Sequence, residues 1–185
     1  SDLIPRALLL ATLDLPEADP NAALLAEDGL GRLIELGLID PEPDGDLRLH
    51  RLIAHFACTA AVDDTAQTAV ETTLLAKANR LNNAGFPAPL LLWQPHLRRV
   101  TDSAFSRADE LSAGLCNALG HHLDIVGSYA AARPYFERAL AIQEQVLGAD
   151  HPNTASSLNN LGHLWQVMGD YEAARAYFER ALAIN

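Results

Sequence analysis

The sequence predicts a mainly α protein: a small module of helices with a β-hairpin near 38–49, followed by an α-solenoid of stacked helical hairpins. Three observations carry this expectation. The segment Leu115–Ile142 returns 42 residues later as Ser157–Ile184, with 17 identities in 28 positions. A fixed period of this length marks units that each bury an apolar face on a neighbour. Within each unit the apolar residues recur at helical spacing. Upstream, Leu38-Ile39-Asp40 and Asp46-Leu47-Arg48-Leu49 flank a turn at Pro41–Gly45, which is the pattern of a hairpin with an Asp-Gly turn.

Taken in order, residues 1–62 form the first module. Leu3–Leu13 reads as a helical stretch interrupted early by Pro5, and residues 21–28 and 30–37 as helices punctuated by Gly29 and Gly37. The hairpin follows, then a helix from His50 to about Ala61. Helices followed by a small hairpin suggest a winged helix without its first helix. Residues 63–110 read as a helical connector. A helix over 65–84, a break at Phe86–Pro89 and a helix over Leu90–Val100 surround Gly85, which lies one period before Gly127. This segment is therefore expected to be a degenerate first hairpin.

The two clear units are 111–152 and 153–185. In the second, Pro152 suits a helix start, where its missing N–H costs nothing. Leu158, Leu161, Leu164 and Trp165 form the apolar face, Gly169 stops the helix, and Asp170 can cap the next. That helix carries Tyr171, Ala174, Phe178, Ala181 and Leu182 on one face. The first unit repeats the plan with Gly127 as stop and Ser128 as cap. Pro134 falls inside its second helix and is expected to bend or loosen it.

These residues resemble the tetratricopeptide repeat, whose pattern places Leu-Gly in the first helix and small, aromatic and small residues in the second. Here they are Leu119-Gly120, Ala132, Phe136 and Ala139, then Leu161-Gly162, Ala174, Phe178 and Ala181. The 42-residue length and the linker Leu147–Thr154 are similar to the kinesin-light-chain type. The resemblance implies a protein or peptide partner, held in a groove lined by the first helix of each unit. Carried over position by position, the groove residues are Asn117, His121 and Asp124, then Asn159, His163 and Gln166. Asn and His can serve an extended backbone as donor and acceptor. The same side chains could instead bond between adjacent units. Arg133 and Arg175 are expected to pair with neighbouring Glu residues.

A second resemblance covers residues 3 to about 60. Ile4-Pro5-Arg6, Leu30–Ile39 and Leu47–Phe56 resemble the winged-helix segment of STAND-class signalling ATPases of the NB-ARC type. Leu49, His50 and Arg51 stand where that family usually has Met-His-Asp, so the histidine matches and the acidic residue does not. The resemblance implies that His50 senses the diphosphate of ADP, with ADP or ATP held by a nucleotide-binding domain upstream in the same chain. Packing at the start of its helix is the alternative role for His50. The short array, stopping at Asn185 inside its last helix, is expected to be part of something longer.

Composition excludes several functions. A net charge of −11 with a single lysine, Lys77, provides no footprint for nucleic acid and repels anionic membranes. Residues 1–50 alone hold 11 acidic residues against 3 arginines, so a DNA-reading winged helix is not expected. No apolar run is long enough to span a bilayer and none reads as a signal peptide, so a cytoplasmic location is expected. Hydrophobic content of 49% supports a packed core, and Cys58 and Cys116 read as buried thiols rather than a disulfide. No phosphate-binding Gly-x-x-x-x-Gly-Lys, no His-Glu-x-x-His and no Gly-x-Ser-x-Gly is present, and the seven histidines fall at no metal-ligand spacing. The sequence is thus expected to be a non-enzymatic regulatory and sensor piece of a STAND ATPase, without a cofactor of its own, or else a freestanding tetratricopeptide adaptor.

Overall fold

The computed structural model describes residues 3–13, 20–49, 64–85 and 88–184. The chain divides into two compact units, Ser1–Thr73 and Leu74–Asn185, each taken here by itself. The predicted hairpin forms: β2 (Ile39–Pro41) pairs antiparallel with β3 (Leu47–Leu49), Asp40 opposite Arg48. Gly45 at φ +88° supplies the left-handed turn residue, and Glu42 N–H closes the turn on the Asp46 carbonyl at 2.8 Å. Pro41 is tolerated because β2 is an edge strand in the order β1-β3-β2.

The third strand departs from the sequence expectation. Leu3–Ile4, read as helical, is strand β1, with Ile4 opposite Leu47. The cause is Pro5, which forces its predecessor into extended backbone and leaves the helix, α1 (Arg6–Thr12), to begin after it. A second departure is α2, one helix over Pro20–Glu35 rather than two, running through Gly29 and Gly31. A Cβ at either glycine would meet nothing, so each merely weakens the helix by about 1 kcal/mol relative to alanine. Gly37 at φ +66° ends it as expected. Leu30, Ile39 and Leu47 are buried together, with Leu9, Leu10, Ile34 and Leu49 packed round them. An Arg6–Glu27 ion pair ties α1 to α2. The helix expected from His50 to Ala61 lies outside the described residues, as does Cys58.

The helix α3 (Asp64–Asn83), which enters the second unit at Leu74, ends at Gly85, φ +71°. The helix expected over Leu90–Val100 is instead two, α4 (Ala88–Leu91) and α5 (Gln94–Ala104). Pro95 explains the break, since a proline fits only the first turn of a helix. Two hairpins follow, α6 (Glu110–Ile125) with α7 (Tyr129–Val146), and α8 (Pro152–Val167) with α9 (Tyr171–Ile184). No helix among the described residues is long and apolar enough to cross a membrane.

Caps set these boundaries. Asp109 Oδ1 accepts from Ser112 N–H at 2.7 Å while Asp109 N–H donates back to Ser112 Oγ at 3.3 Å, a capping box for α6. Burial alone would raise the Asp109 carboxyl; that N–H and the Arg107 guanidinium outweigh it and hold the group below its usual range. Gly127 and Gly169, at φ +77° and +87°, are the predicted stops. Asp170 caps as predicted, accepting from Ala173 N–H at 3.0 Å, whereas the Ser128 side chain makes no cap bond. Pro134 does not interrupt α7. It lies on an exposed turn, where water can satisfy the carbonyl it leaves unpaired.

Each hairpin closes on one contact. A Cβ at Gly120 would lie 2.8 Å from the Phe136 ring, and one at Gly162 would lie 2.7 Å from the Phe178 ring. The helices cross so closely that only glycine fits. Above and below the crossing, Leu115, Leu119, Leu123, Ile142, Leu158, Leu161 and Leu164 are fully buried. Cys116 is a free, buried thiol, which burial pushes up to about 12, so it stays neutral. Arg138 ties α7 to the chain before α6, donating to the carbonyls of Phe105 at 2.8 Å and Arg107 at 2.9 Å.

Phe136 is 1% exposed, so its ring has nowhere to move, while Phe178 is only half-buried. Overpacking costs about 1–3 kcal/mol and alanine regains about 1 kcal/mol of helix propensity. Gly120→Ala is therefore expected to destabilise by about 1–2 kcal/mol, and Gly162→Ala by less than about 1 kcal/mol. Urea unfolding of the two variants distinguishes them; equal losses would show that ring confinement is not the cause.

Candidate functional site

Asn117, His121 and Asp124 follow one another along one face of α6, and Asn159, His163 and Gln166 along the same face of α8. The structure joins two of these predicted groove residues directly. His163 Nδ1 lies 3.3 Å from Asp124 Oδ2, with the aspartate mostly buried and the imidazole largely exposed. This pair links the first helices of the two hairpins at the surface they share.

Asn117 is used differently. Its amide Nδ2 donates to Ser157 Oγ at 3.0 Å, and the Ser157 hydroxyl donates to Gln143 Oε1 at 2.6 Å. One serine thus connects α6, α7 and α8 in the buried layer between hairpins. Asn82 of α3 makes a comparable connection one step earlier, donating to the Ala118 carbonyl at 2.9 Å. Asn159 is exposed, so of the two repeat-related asparagines one bonds between units and one faces solvent.

Several polar atoms on the groove helices make no hydrogen bond among the described residues. They are His121 Nδ1, His122 Nδ1, Asp124 Oδ1 and Trp165 Nε1, each buried at the atom. Buried polar atoms are ordinarily satisfied by protein or water, so an acceptor carboxylate oxygen, an indole donor and two imidazole nitrogens are left for water or a ligand. Arg133 lies over the Trp165 ring at 5.6 Å and pairs with Glu137 at 3.6 Å. Arg175 pairs with Glu179 at 2.6 Å, as expected for these positions.

The electrostatics follow from composition. Neither α6 nor α8 contains a lysine or arginine, while Glu110 and Asp124 contribute negative charge. Arg133, already paired with Glu137, is the cation that reaches this face over Trp165, so the two helices themselves favour hydrogen-bonding and cationic groups over a carboxylate. No group of three or more metal-binding side chains occurs among the described residues. His50, the candidate nucleotide sensor, lies outside the described residues.

The links missed at the sequence level are Ser157, Gln143 and Asn82. Ser157 aligns with Leu115 in the preceding unit, and Asn82 is out of register with Asn117. Neither shows in a repeat pattern. A fourth is His122, whose fully buried ring places Nε2 3.4 Å from Gln94 Oε1.

Burial pushes the His122 imidazole below its ordinary value, with His121 adding to the effect. Because the unfolded chain takes up this proton first, the contribution to stability is complete above about pH 6.5 and is lost as pH falls below it. His122→Leu is accordingly expected to flatten the stability loss between about pH 7.5 and 5.5, measured by urea midpoints. An unchanged slope would assign that loss to other groups.

With this geometry in place, residues 110–185 match the family model described as tetratricopeptide repeat. No curated protein sequence matches the chain. Among solved structures, the chain is similar to BtubC (BKLC) from P. vanneervenii, with 21% identity and a TM-score of 0.58, over 73% of this chain and 52% of that one. The chain therefore spans about half the length of that relative. It is also similar to the TPR domain of Arabidopsis FLU, with 17% identity and a TM-score of 0.52, over 63% of this chain and 95% of that domain. At these identities the likeness is one of fold. The family model thus places tetratricopeptide repeats at residues 110–185.

Proposed function

We propose that the chain is a non-catalytic adaptor whose repeats hold a protein or peptide partner along the α6–α8 face. The observation that carries this reading is the Asp124–His163 pair, set among buried polar atoms that lack hydrogen bonds in a repeat-built surface. The polar row Asn159, His163 and Gln166 can bond an extended backbone. The absence of basic residues on both helices selects neutral or basic segments over acidic ones. Peptides enriched from a random display library on the intact chain test this. His163→Ala and Asn159→Ala, both at exposed positions, are each expected to weaken the selected peptides by about tenfold, as loss of one or two hydrogen bonds predicts. Binding unchanged in both variants, or enrichment of acidic sequences, would overturn the reading.

A second reading has its own support in the antiparallel sheet of Leu3–Ile4, Ile39–Pro41 and Leu47–Leu49. The hairpin is the element that the STAND resemblance requires immediately before His50. In that reading the repeats are the sensor arm of a nucleotide-dependent switch, and an upstream nucleotide-binding domain is the partner of residues 1–62. The complete reading frame decides it: a Gly-x-x-x-x-Gly-Lys-[Ser/Thr] loop upstream of Ser1 is expected, and a complete frame lacking one removes this reading in favour of the adaptor.

A further inference from the structure

The helix α5 is fastened to the repeats at both ends, by bonds of different kinds. At its C-terminal end Asp102 accepts from the Tyr135 hydroxyl of α7 at 2.8 Å. Just beyond, the Phe105 and Arg107 carbonyls accept from Arg138 of α7. At the N-terminal end the fastening is His122 of α6, fully buried, with Nε2 3.4 Å from Oε1 of Gln94, the first residue of α5. One end is thus held by a phenol, a guanidinium and backbone carbonyls. The other is held by an imidazole, the side chain whose charge ordinarily changes between about pH 5 and 8.

The surroundings of the imidazole suit its neutral form. With its proton on Nε2 the ring donates to Gln94, an amide that carries no charge to balance a second proton. That proton would go on Nδ1, which is buried at the atom and has no hydrogen-bond partner among the described residues. Asn82 of α3 donates to the Ala118 carbonyl on the preceding turn of α6 at 2.9 Å, and its Oδ1 makes no bond to the ring. Charges on the neighbouring elements are engaged elsewhere or add repulsion. His121 repels, Lys77 of α3 stands over the Trp93 ring at 4.9 Å, and Arg98 and Asp102 of α5 are bonded to Tyr135. His96 and Arg99 of α5 have interactions of their own. Burial therefore holds the His122 ring below its ordinary value.

We infer that the His122–Gln94 contact is a pH-sensitive latch, which on acidification frees the N-terminal end of α5 from α6 while Tyr135 and Arg138 keep the C-terminal end in place. Opening exposes Trp93 and Leu97, which are 9% and 0% exposed when the latch is closed. Their burial keeps the closed form dominant at neutral pH. A ring released into water takes up its proton near about pH 6.5, before the closed form does. The open share accordingly rises as pH falls through that value, by at most about tenfold for each pH unit below it. Such an opening is confined to one end of one helix and precedes any global loss of structure.

Amide hydrogen exchange of the intact chain at two pH values, one unit above and one unit below about 6.5, corrected for the intrinsic pH dependence of exchange, tests the latch. The Leu97 amide donates to the Trp93 carbonyl at 2.9 Å. Its protection is expected to fall several-fold on acidification, up to about tenfold. Protection of the Arg107 amide, which donates to the Ala104 carbonyl at 3.0 Å beyond the other end of α5, is expected to hold. His122→Leu removes the titrating group and is expected to abolish the difference at Leu97. Gln94→Glu gives the imidazolium a counter-charge without altering the ring and is expected to abolish it too, which keeps the test decisive if leucine disturbs the packing. His96→Gln is expected to leave the difference in place. Equal protection of Leu97 at both pH values overturns the latch, as does a difference that survives both His122→Leu and Gln94→Glu. Protection lost evenly from α5, α6 and Arg107 overturns it as well, because that is global acid unfolding.

Discussion

The close crossing of glycine and phenylalanine inside each hairpin is the contact on which the solenoid depends. Gly120 against Phe136 and Gly162 against Phe178 set the distance between paired helices, and that distance determines which side chains reach across. The ring replaces the volume that a β-carbon would otherwise contribute. Leucines above and below then interdigitate without a void, as dense packing requires. Hairpins of one fixed shape can stack with one fixed relation, and this relation places α6 and α8 side by side as a polar face.

The layers between hairpins are held by fewer, more specific contacts. Arg138 reaches two backbone carbonyls before α6, Arg180 of α9 pairs with Glu144 of α7 at 2.5 Å, and Tyr135 donates to Asp102 at 2.8 Å. The Tyr135 hydroxyl is pushed up to about 12 by burial and by that carboxylate, so it remains a donor at any ordinary pH. These bonds join second helices and connectors and leave the α6–α8 face to the histidines and amides. Scaffold and surface overlap at Asn117, which bonds Ser157, and at the Asp124–His163 pair, which links α6 to α8; the exposed Asn159 is free of such a task.

Much of this was legible in sequence, for identifiable reasons. The period exposed the hairpins because identical residues at fixed spacing must occupy equivalent places, and Gly127 and Gly169 did adopt the positive φ that helix stops need. The Asp-Gly turn revealed the hairpin of strands. What escaped was whatever broke the pattern. Gly29 read as punctuation because a glycine inside a helix looks the same in sequence as one that ends it. Leu3–Ile4 looked helical because strand pairing with Leu47 depends on a residue more than forty positions away. Of the candidate site, the repeat-related residues were placed on the correct helices, but the engagement of Asn117 by Ser157 depends on a position where the two units differ.

That difference has a consequence for the order of the units. Ser157 satisfies the amides of Asn117 and Gln143 at once, and the residue in its place one unit earlier is Leu115. A second copy of the first unit in place of the second would set leucine where Ser157 now serves the Asn117 and Gln143 amides, so the units fold alike yet are not interchangeable. The positions at which the repeats have diverged act as an address, recording which unit sits next to which.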